Sequence, residues 1–271
     1  MKALLLIFSL LALVSCKDRK QQNFPAENVE LSAPDAGIGK DSAFSKTPFA
    51  SDIEEAHNIE EFKNHKAVSF NIALSSAGQE PLQAKVTSLT NSTKIRIDKK
   101  DGTLVVFDGN DVFICPANAE DKGSRLNMFT WQYFFFLPFR LNDPGTQWQQ
   151  IGPQKTENSI FNTGKLTFTG HTRNVPANWF LLYQDPESQL LHAVAYSSGY
   201  QETGAQNPKA IVYKDYKVVD GVPFATTWEF HNWSKQNGIG KKTGEAKISN
   251  ILFFPARNNL FKKQENSRII K

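Results

Sequence analysis

Residues 94–115 read KIRIDKKDGTLVVFDGNDVFIC, and this stretch decides the fold class. Lys94-Ile95-Arg96-Ile97-Asp98 alternates charged with apolar residues, the period of a strand with one wet and one dry face. Asp101-Gly102 and Asp108-Gly109 follow, and Asp-Gly pairs take the positive φ that tight hairpin turns require. Thr103–Phe107 and Val112–Cys115 are the short apolar runs that those turns connect. Strands joined by successive tight turns predict an antiparallel meander.

The same grammar extends in both directions. Upstream, Ala67–Leu74 (AVSFNIAL) and Leu82–Leu89 are strand-like. Downstream of Asn142, strands are expected at Gln147–Ile151, Ile160–Thr169, Trp179–Gln184, Leu190–Ser197, Ala210–Tyr216, Phe224–Trp233 and Glu245–Phe254. Turns at Asp185–Ser188, Asp220-Gly221 and Asn237-Gly238 separate some of them. The chain is therefore mainly β and antiparallel, with about 11–12 strands in one domain over residues 47–255. A helix precedes the sheet, with Ser51 as its cap and Ile53, Ala56, Ile59 and Phe62 as its apolar stripe. Residues 256–271 read as a basic, frayed tail.

One segment breaks the strand rhythm. Met128–Leu141 reads MFTWQYFFFLPFRL, and seven of its fourteen residues are aromatic. Pro138 and Arg140 cut it well short of the ~20 residues that span a bilayer. As a helix over Arg125–Leu137 it is apolar all round, so more than one face must be covered. A concave antiparallel sheet would cover it. Phe129, Trp131, Tyr133, Phe134, Phe135, Phe136 and Phe139 are then either core, plugging the sheet, or a lid that alternates with an apolar ligand.

The N-terminus gives an address. Lys2 is followed by an apolar run, Ala3–Val14, too short to span a membrane but suited to a secretory signal. It ends in Leu13-Val14-Ser15-Cys16, which resembles the bacterial lipobox. That resemblance implies cleavage after residue 15 and acylation of Cys16, and several acyl chains anchor a protein stably. A signal segment over 1–15 and a polar, disordered tether over 16–46 follow. Lys17 behind the cysteine does not resemble the inner-membrane retention signal of proteobacterial sorting rules, and that resemblance implies the bacterial outer membrane, on its periplasmic or cell-surface face. Asp41-Ser42-Ala43 in the tether resembles an O-glycosylation triplet.

Several chemistries find no support. The net charge is +4, and about +3 once Lys2 is lost, too small for a nucleic-acid footprint. Cys115 is alone once Cys16 carries lipid, and reads as a buried core thiol. His57, His65, His171, His192 and His231 show no metal-ligand spacing. His57 and His65 read as capping or surface residues, and His192 as sharing a strand face with Val194 and Tyr196. Ser197-Ser198-Gly199 is a turn rather than a nucleophile elbow, and Gly238–Thr243 is a hairpin tip rather than a phosphate loop. Asp98, Asp101, Asp108 and Asp111 read as turn residues. No catalytic residue, metal or cofactor is expected.

Four pieces carry a family resemblance: Ala56-His57, Leu137–Gly145 (LPFRLNDPG), Leu182–Glu187 (LYQDPE) and Tyr216–Pro223 (YKVVDGVP). With the lipobox and the aromatic segment, they make the chain similar to the LolA/LolB-like superfamily of lipoprotein carriers and receptors, and more closely to a bacteroidete lipoprotein family within it. The resemblance implies an incomplete, half-open β-barrel with a helical lid over an apolar cavity. It departs at Asn58, where the family often has glycine. The implied function is a lipid-anchored, non-enzymatic envelope protein. It would meet the membrane through its acyl chains and hold a lipid or lipoprotein ligand. The alternative is a structural or partner-binding surface lipoprotein with a filled cavity.

Overall fold

A computed structural model describes residues 47–76, 81–155, 159–169, 174–197 and 208–271. Cys16, the signal segment, the tether, His171 and the end of the Ser197–Gly199 turn lie outside the described residues. Among the described residues there are three α-helices: α1 (Pro48–Ala56), α2 (Ile59–Asn64) and α3 (Ser124–Phe136), the last continued by a 3-10 turn at Leu137–Phe139. The first five strands are β1 (Ala67–Ser76), β2 (Leu82–Leu89), β3 (Ile95–Lys99), β4 (Leu104–Phe107) and β5 (Val112–Cys115). After α3 come β6 (Thr146–Gln150), β7 (Gln154–Lys155), β8 (Ile160–Phe168), β9 (Trp179–Gln184) and β10 (Leu191–Ser197). The last are β11 (Lys209–Val219), β12 (Val222–Ser234), β13 (Gly238–Phe254) and β14 (Arg268–Ile270).

They form one 14-stranded sheet in the order β14-β5-β4-β3-β2-β1-β13-β12-β11-β10-β9-β8-β6, with β7 paired to β8 off this path. The β3–β4 and β4–β5 pairings across the Asp-Gly turns are antiparallel, as those turns predict. Gly102 and Gly109 take φ of +89° and +109°, and Asp101 and Asp108 accept the turn amides of Thr103 and Asn110. Two meanders meet where β1 pairs β13, so the first and last long strands close the middle of the sheet. The ends, β14 and β6, do not pair with each other. The sheet is an open barrel rather than a closed one.

Its alternation sorts side chains onto two faces. Val68, Phe70, Val86, Ile97, Phe224 and Trp228 face inward and belong to one large core with α3. A smaller cluster of Phe161, Leu181, Tyr183 and Ala193 lies on the outer face of β8–β12. Ala67, Leu89, Val106 and Phe261 form another outer cluster.

Four expectations are corrected. The N-terminal helix is two helices, capped by Thr47 rather than Ser51, with Pro48 at the first position. Asn58 divides them at φ +54°, a left-handed conformation that asparagine tolerates and glycine prefers. The Asn58 amide donates to Gly221 O at 2.9 Å, which holds this turn against the β11–β12 hairpin. The segment 256–271 is not frayed: Phe261 is buried, β14 pairs β5, and Arg268 bonds Asp121 and the carbonyls of Ala117 and Ala119. Its apolar pairs, Leu260-Phe261 and Ile269-Ile270, outweigh its charge. Asp98 sits within β3, not in a turn, and is bonded by Arg96. His192 does not share the face of Val194 and Tyr196. A register shift between Leu191 and Ala193 turns it onto Phe161, at a ring distance of 4.1 Å. Cys115 is buried, as expected.

The helix α1 is seated by a missing side chain. A Cβ on Gly164 would lie 2.7 Å from Phe49 Cε1, whose ring packs edge-on against Trp148 at 5.6 Å. Gly164→Val is therefore expected to lift α1 and destabilise the protein by about 1–3 kcal/mol. Urea unfolding checks this, and an unaltered midpoint would mean that the notch is not needed.

Candidate apolar-ligand site

The helix α3 lies along the concave face. Met128, Phe129, Trp131, Gln132, Tyr133, Phe134, Phe135 and Phe136 are all buried, so the helix is enclosed beyond its first turn, where Leu126 and Asn127 are exposed. Its apolar residues make no single stripe, and a helix of that kind is stable only when enclosed.

The structure brings the aromatic candidates together. Phe135 is held between Phe70 and Phe224, with ring centroids 3.8 and 4.8 Å away and nearly parallel planes. Phe139 stacks on Phe62 of α2 at 3.9 Å, and Phe136 meets the same ring edge-on at 5.2 Å. Tyr133 stacks on Phe180 at 5.3 Å, with the Arg140 guanidinium 5.2 Å above it. Phe134 lies 4.7 Å from Tyr196, Phe129 5.2 Å from Phe107, and Trp131 5.9 Å from Phe230. The partners come from β1, β4, β9, β10 and β12, so the sheet wraps the helix. Beside Phe134 and Phe135 the space left is about 10 Å³, no more than a single water needs. Among the described residues, α3 fills this part of the concave face.

Polar attachment is sparse by comparison. Tyr213 donates to Phe134 O at 3.2 Å, one of the last-turn carbonyls that a helix cannot satisfy itself. Burial raises the Tyr213 phenol well above its ordinary pKa, so it remains a donor. Gln132 donates to Ser92 Oγ at 2.7 Å, Lys99 to Ser124 Oγ at 3.1 Å, and Arg125 to Asn174 Oδ1 at 3.2 Å. The Trp131 indole N–H is buried without a partner among the described residues. An unpaired buried donor costs about 1–3 kcal/mol. The plug is thus apolar in its hold and imperfect in its hydrogen bonding.

The closed end of the site is organised by His57, whose place at a helix end predicts a capping or surface role. It does cap the C-terminal end of α1, but it is almost wholly buried rather than on the surface. Nε2 accepts the Leu191 amide at 3.2 Å and Nδ1 donates to Pro223 O at 3.3 Å, so both nitrogens are used by a neutral ring. Burial lowers its pKa from 6.5 to about 4, only partly offset by the Pro223 carbonyl. The ring meets Phe139 at 5.8 Å and Tyr216 at 5.5 Å, and Tyr216 donates to Leu191 O at 2.6 Å. Glu54, also buried, accepts from the Asn142 amide and side chain at 2.9 and 2.8 Å. Three of the four motif pieces therefore meet at His57 and Glu54, and the fourth contains Gln184, directly opposite Leu191. The sole sequence signal for this convergence is the inclusion of Ala56-His57 among those pieces. Among the described residues, no group of three or more His, Cys, Asp and Glu side chains is placed to hold a metal.

Solved structures share this architecture. A LolA superfamily protein from Nitrosomonas europaea matches with a TM-score of 0.52 and 12% identity, over 79% of this chain and 97% of that one. A DUF1329 family protein from Desulfovibrio piger matches with a TM-score of 0.52 and 11% identity, over 80% of this chain and 98% of that one. No protein-family model and no curated protein matches the sequence. The likeness is one of fold: the chain has the LolA-like open barrel with a helix on its concave face.

Proposed function

We propose that the protein is a lipid-anchored component of the bacterial cell envelope, non-enzymatic, that binds an acylated ligand on the concave face by displacing α3. The observation that carries this reading is the occupant of that face. It is filled by one helix that the chain itself supplies, held by apolar contact and few hydrogen bonds. An acyl chain offers the same kind of contact. The LolA-like fold supports the reading, as does the lipobox-like Cys16 for the anchor and its outer-membrane address.

Magnitudes narrow the ligand. Each withdrawn aromatic ring uncovers ~150–250 Å², or ~4–6 kcal/mol at ~25 cal/mol per Å². A sixteen-carbon chain returns ~12–13 kcal/mol at ~0.8 kcal/mol per methylene. One fatty acid therefore replaces about two or three rings, and the whole plug yields only to a ligand with several chains. A diacyl lipid or an acylated protein N-terminus fits this requirement; a free fatty acid does not.

A second reading is favoured by the filled interior: a permanent plug in a structural or partner-binding lipoprotein. Incubation of the Cys16→Ala chain with dipalmitoyl phosphatidylglycerol vesicles separates the two. Under the first reading native mass spectrometry finds bound lipid, and amide hydrogens of α3 lose protection from exchange. No bound lipid and an unchanged α3 would leave the permanent plug. In cells, Cys16→Ala should also move the protein from the membrane to the soluble fraction.

A further inference from the structure

The outer face of the sheet carries a second hollow, separated from α3 by the sheet itself. Its floor is a row running across four strands. Leu252 of β13 pairs Ser69 of β1, Ser69 pairs Thr87 of β2, and Thr87 pairs Arg96 of β3. The two middle residues are short and the two outer ones long, so the row is a trough. The chain after β13 builds its far wall with Pro255, Arg257 and Leu260. The trough encloses about 480 Å³, within the ~300–1,000 Å³ typical of small-molecule sites.

Its charges are unevenly matched. Lys85, Arg96 and Arg257 line it against a single acid, Asp98. Asp98 is taken up by Arg96, through Nε at 2.9 Å and Nη2 at 2.7 Å. Arg96 also donates from Nη1 to Leu260 O at 3.3 Å, which fixes the wall to the floor. Lys85 and Arg257 have no ion-pair partner among the described residues. The wall beside them is apolar. Leu252 is 57% exposed, a large uncovered side chain, and Phe254 and Leu260 are half-buried beside it. Charge alone would suit any anion, and an apolar wall alone would suit any greasy surface. The combination selects a molecule with both.

We propose that this trough binds the anionic head of an amphiphile, a phosphate monoester or a carboxylate. Lys85 and Arg257 hold the head, the Ser69 and Thr87 hydroxyls line the floor beneath it, and Leu252 and Phe254 take the first methylenes. The site is independent of the concave face. A ligand here leaves α3 in place.

The test uses soluble short-chain lipids, which are too small to replace the plug. Dihexanoyl phosphatidate, dihexanoyl phosphatidylcholine and inorganic phosphate are titrated calorimetrically into the full chain bearing Cys16→Ala. Phosphatidate should bind, phosphatidylcholine should not, and inorganic phosphate should bind much more weakly for want of apolar contact. Lys85→Gln with Arg257→Gln should weaken phosphatidate by about tenfold or more, with the melting temperature unchanged. Lys85→Gln alone should give an intermediate loss, and Lys217→Gln, an exposed cation of β11, none. Exchange protection of α3 should not change, which separates this result from uptake on the concave face. The proposal is overturned if phosphatidate fails to bind, if the double variant binds it equally well, or if phosphatidylcholine matches it. Inorganic phosphate binding as tightly as phosphatidate would reduce the trough to a simple anion site and overturn the amphiphile.

Discussion

Phe135→Ala is expected to destabilise the protein by about 3–5 kcal/mol, the range for deleting a buried phenylalanine. Phe135 is buried, lying nearly parallel to Phe70 and Phe224 on either side. The space beside it is already almost nil, so neighbouring side chains have no slack to draw on. The cost therefore includes both lost burial and an unfilled cavity. Urea unfolding at neutral pH measures it, with Leu126→Ala as the control. Leu126 is 40% exposed on the same helix, and its truncation should fall within about 0.5 kcal/mol of wild type. A loss below about 1 kcal/mol for Phe135→Ala would show that the helix is loosely seated. The same variant tests the proposed function. If α3 alternates with a ligand, weakening its hold favours the displaced state, and lipid uptake should rise as stability falls. If the plug is permanent, stability falls and uptake stays nil.

The sheet was legible because its signals are local. An Asp-Gly pair needs only its own backbone to turn, and the alternation in Lys94–Asp98 needs only the water on one side of the strand. Twelve strand segments were expected, and each has its counterpart among the fourteen strands found. The two that were missed, β7 and β14, are two and three residues long. Runs that short carry no period. β14 is specified instead by its partner β5 and by the bonds of Arg268, both far away in sequence.

The candidate site was legible in part for the same reason. A helix of aromatic residues without a stripe must be enclosed, and that follows from Met128–Leu141 alone. What fills the remaining space is a matter of packing between distant segments. Phe62, Phe70, Phe180 and Phe224 reach α3 and its 3-10 extension from four elements, and no local pattern states that their rings close on its aromatic side chains. The break at Asn58 was hidden by the continuous apolar stripe on either side of it, which holds whether or not the helix bends. The capping place of His57 is legible, and its burial is not. A histidine at a helix end is usually solvated, and its burial depends on Leu191 and Pro223, which are brought to it by the sheet.

That burial makes a second large effect predictable. The fold holds His57 neutral, with its pKa lowered to about 4 from 6.5. Above pH 6.5 the ring is neutral in both folded and unfolded chains, and its contribution to stability is constant. Between pH 6.5 and 4 the unfolded chain binds a proton that the folded chain excludes, so stability falls as the pH falls. Each pH unit crossed in that window costs about 1.4 kcal/mol, so the full loss is about 3 kcal/mol, complete below about pH 4. The structural cause is plain: a protonated Nε2 would point a second donor at the Leu191 amide. His192, also lowered by burial, acts in the same direction, so the measurement must isolate His57. His57→Gln does so, since an amide can still donate to Pro223 O and accept from the Leu191 amide. Urea unfolding of both proteins from about pH 7.5 to 4 should give profiles that converge towards acid, the variant starting lower and losing about 3 kcal/mol less. Exchange protection of Leu191 should collapse in the wild type over the same range and not in the variant. Parallel profiles would mean that His57 titrates normally, and that the junction of α1 with β10 and β12 does not depend on a neutral ring.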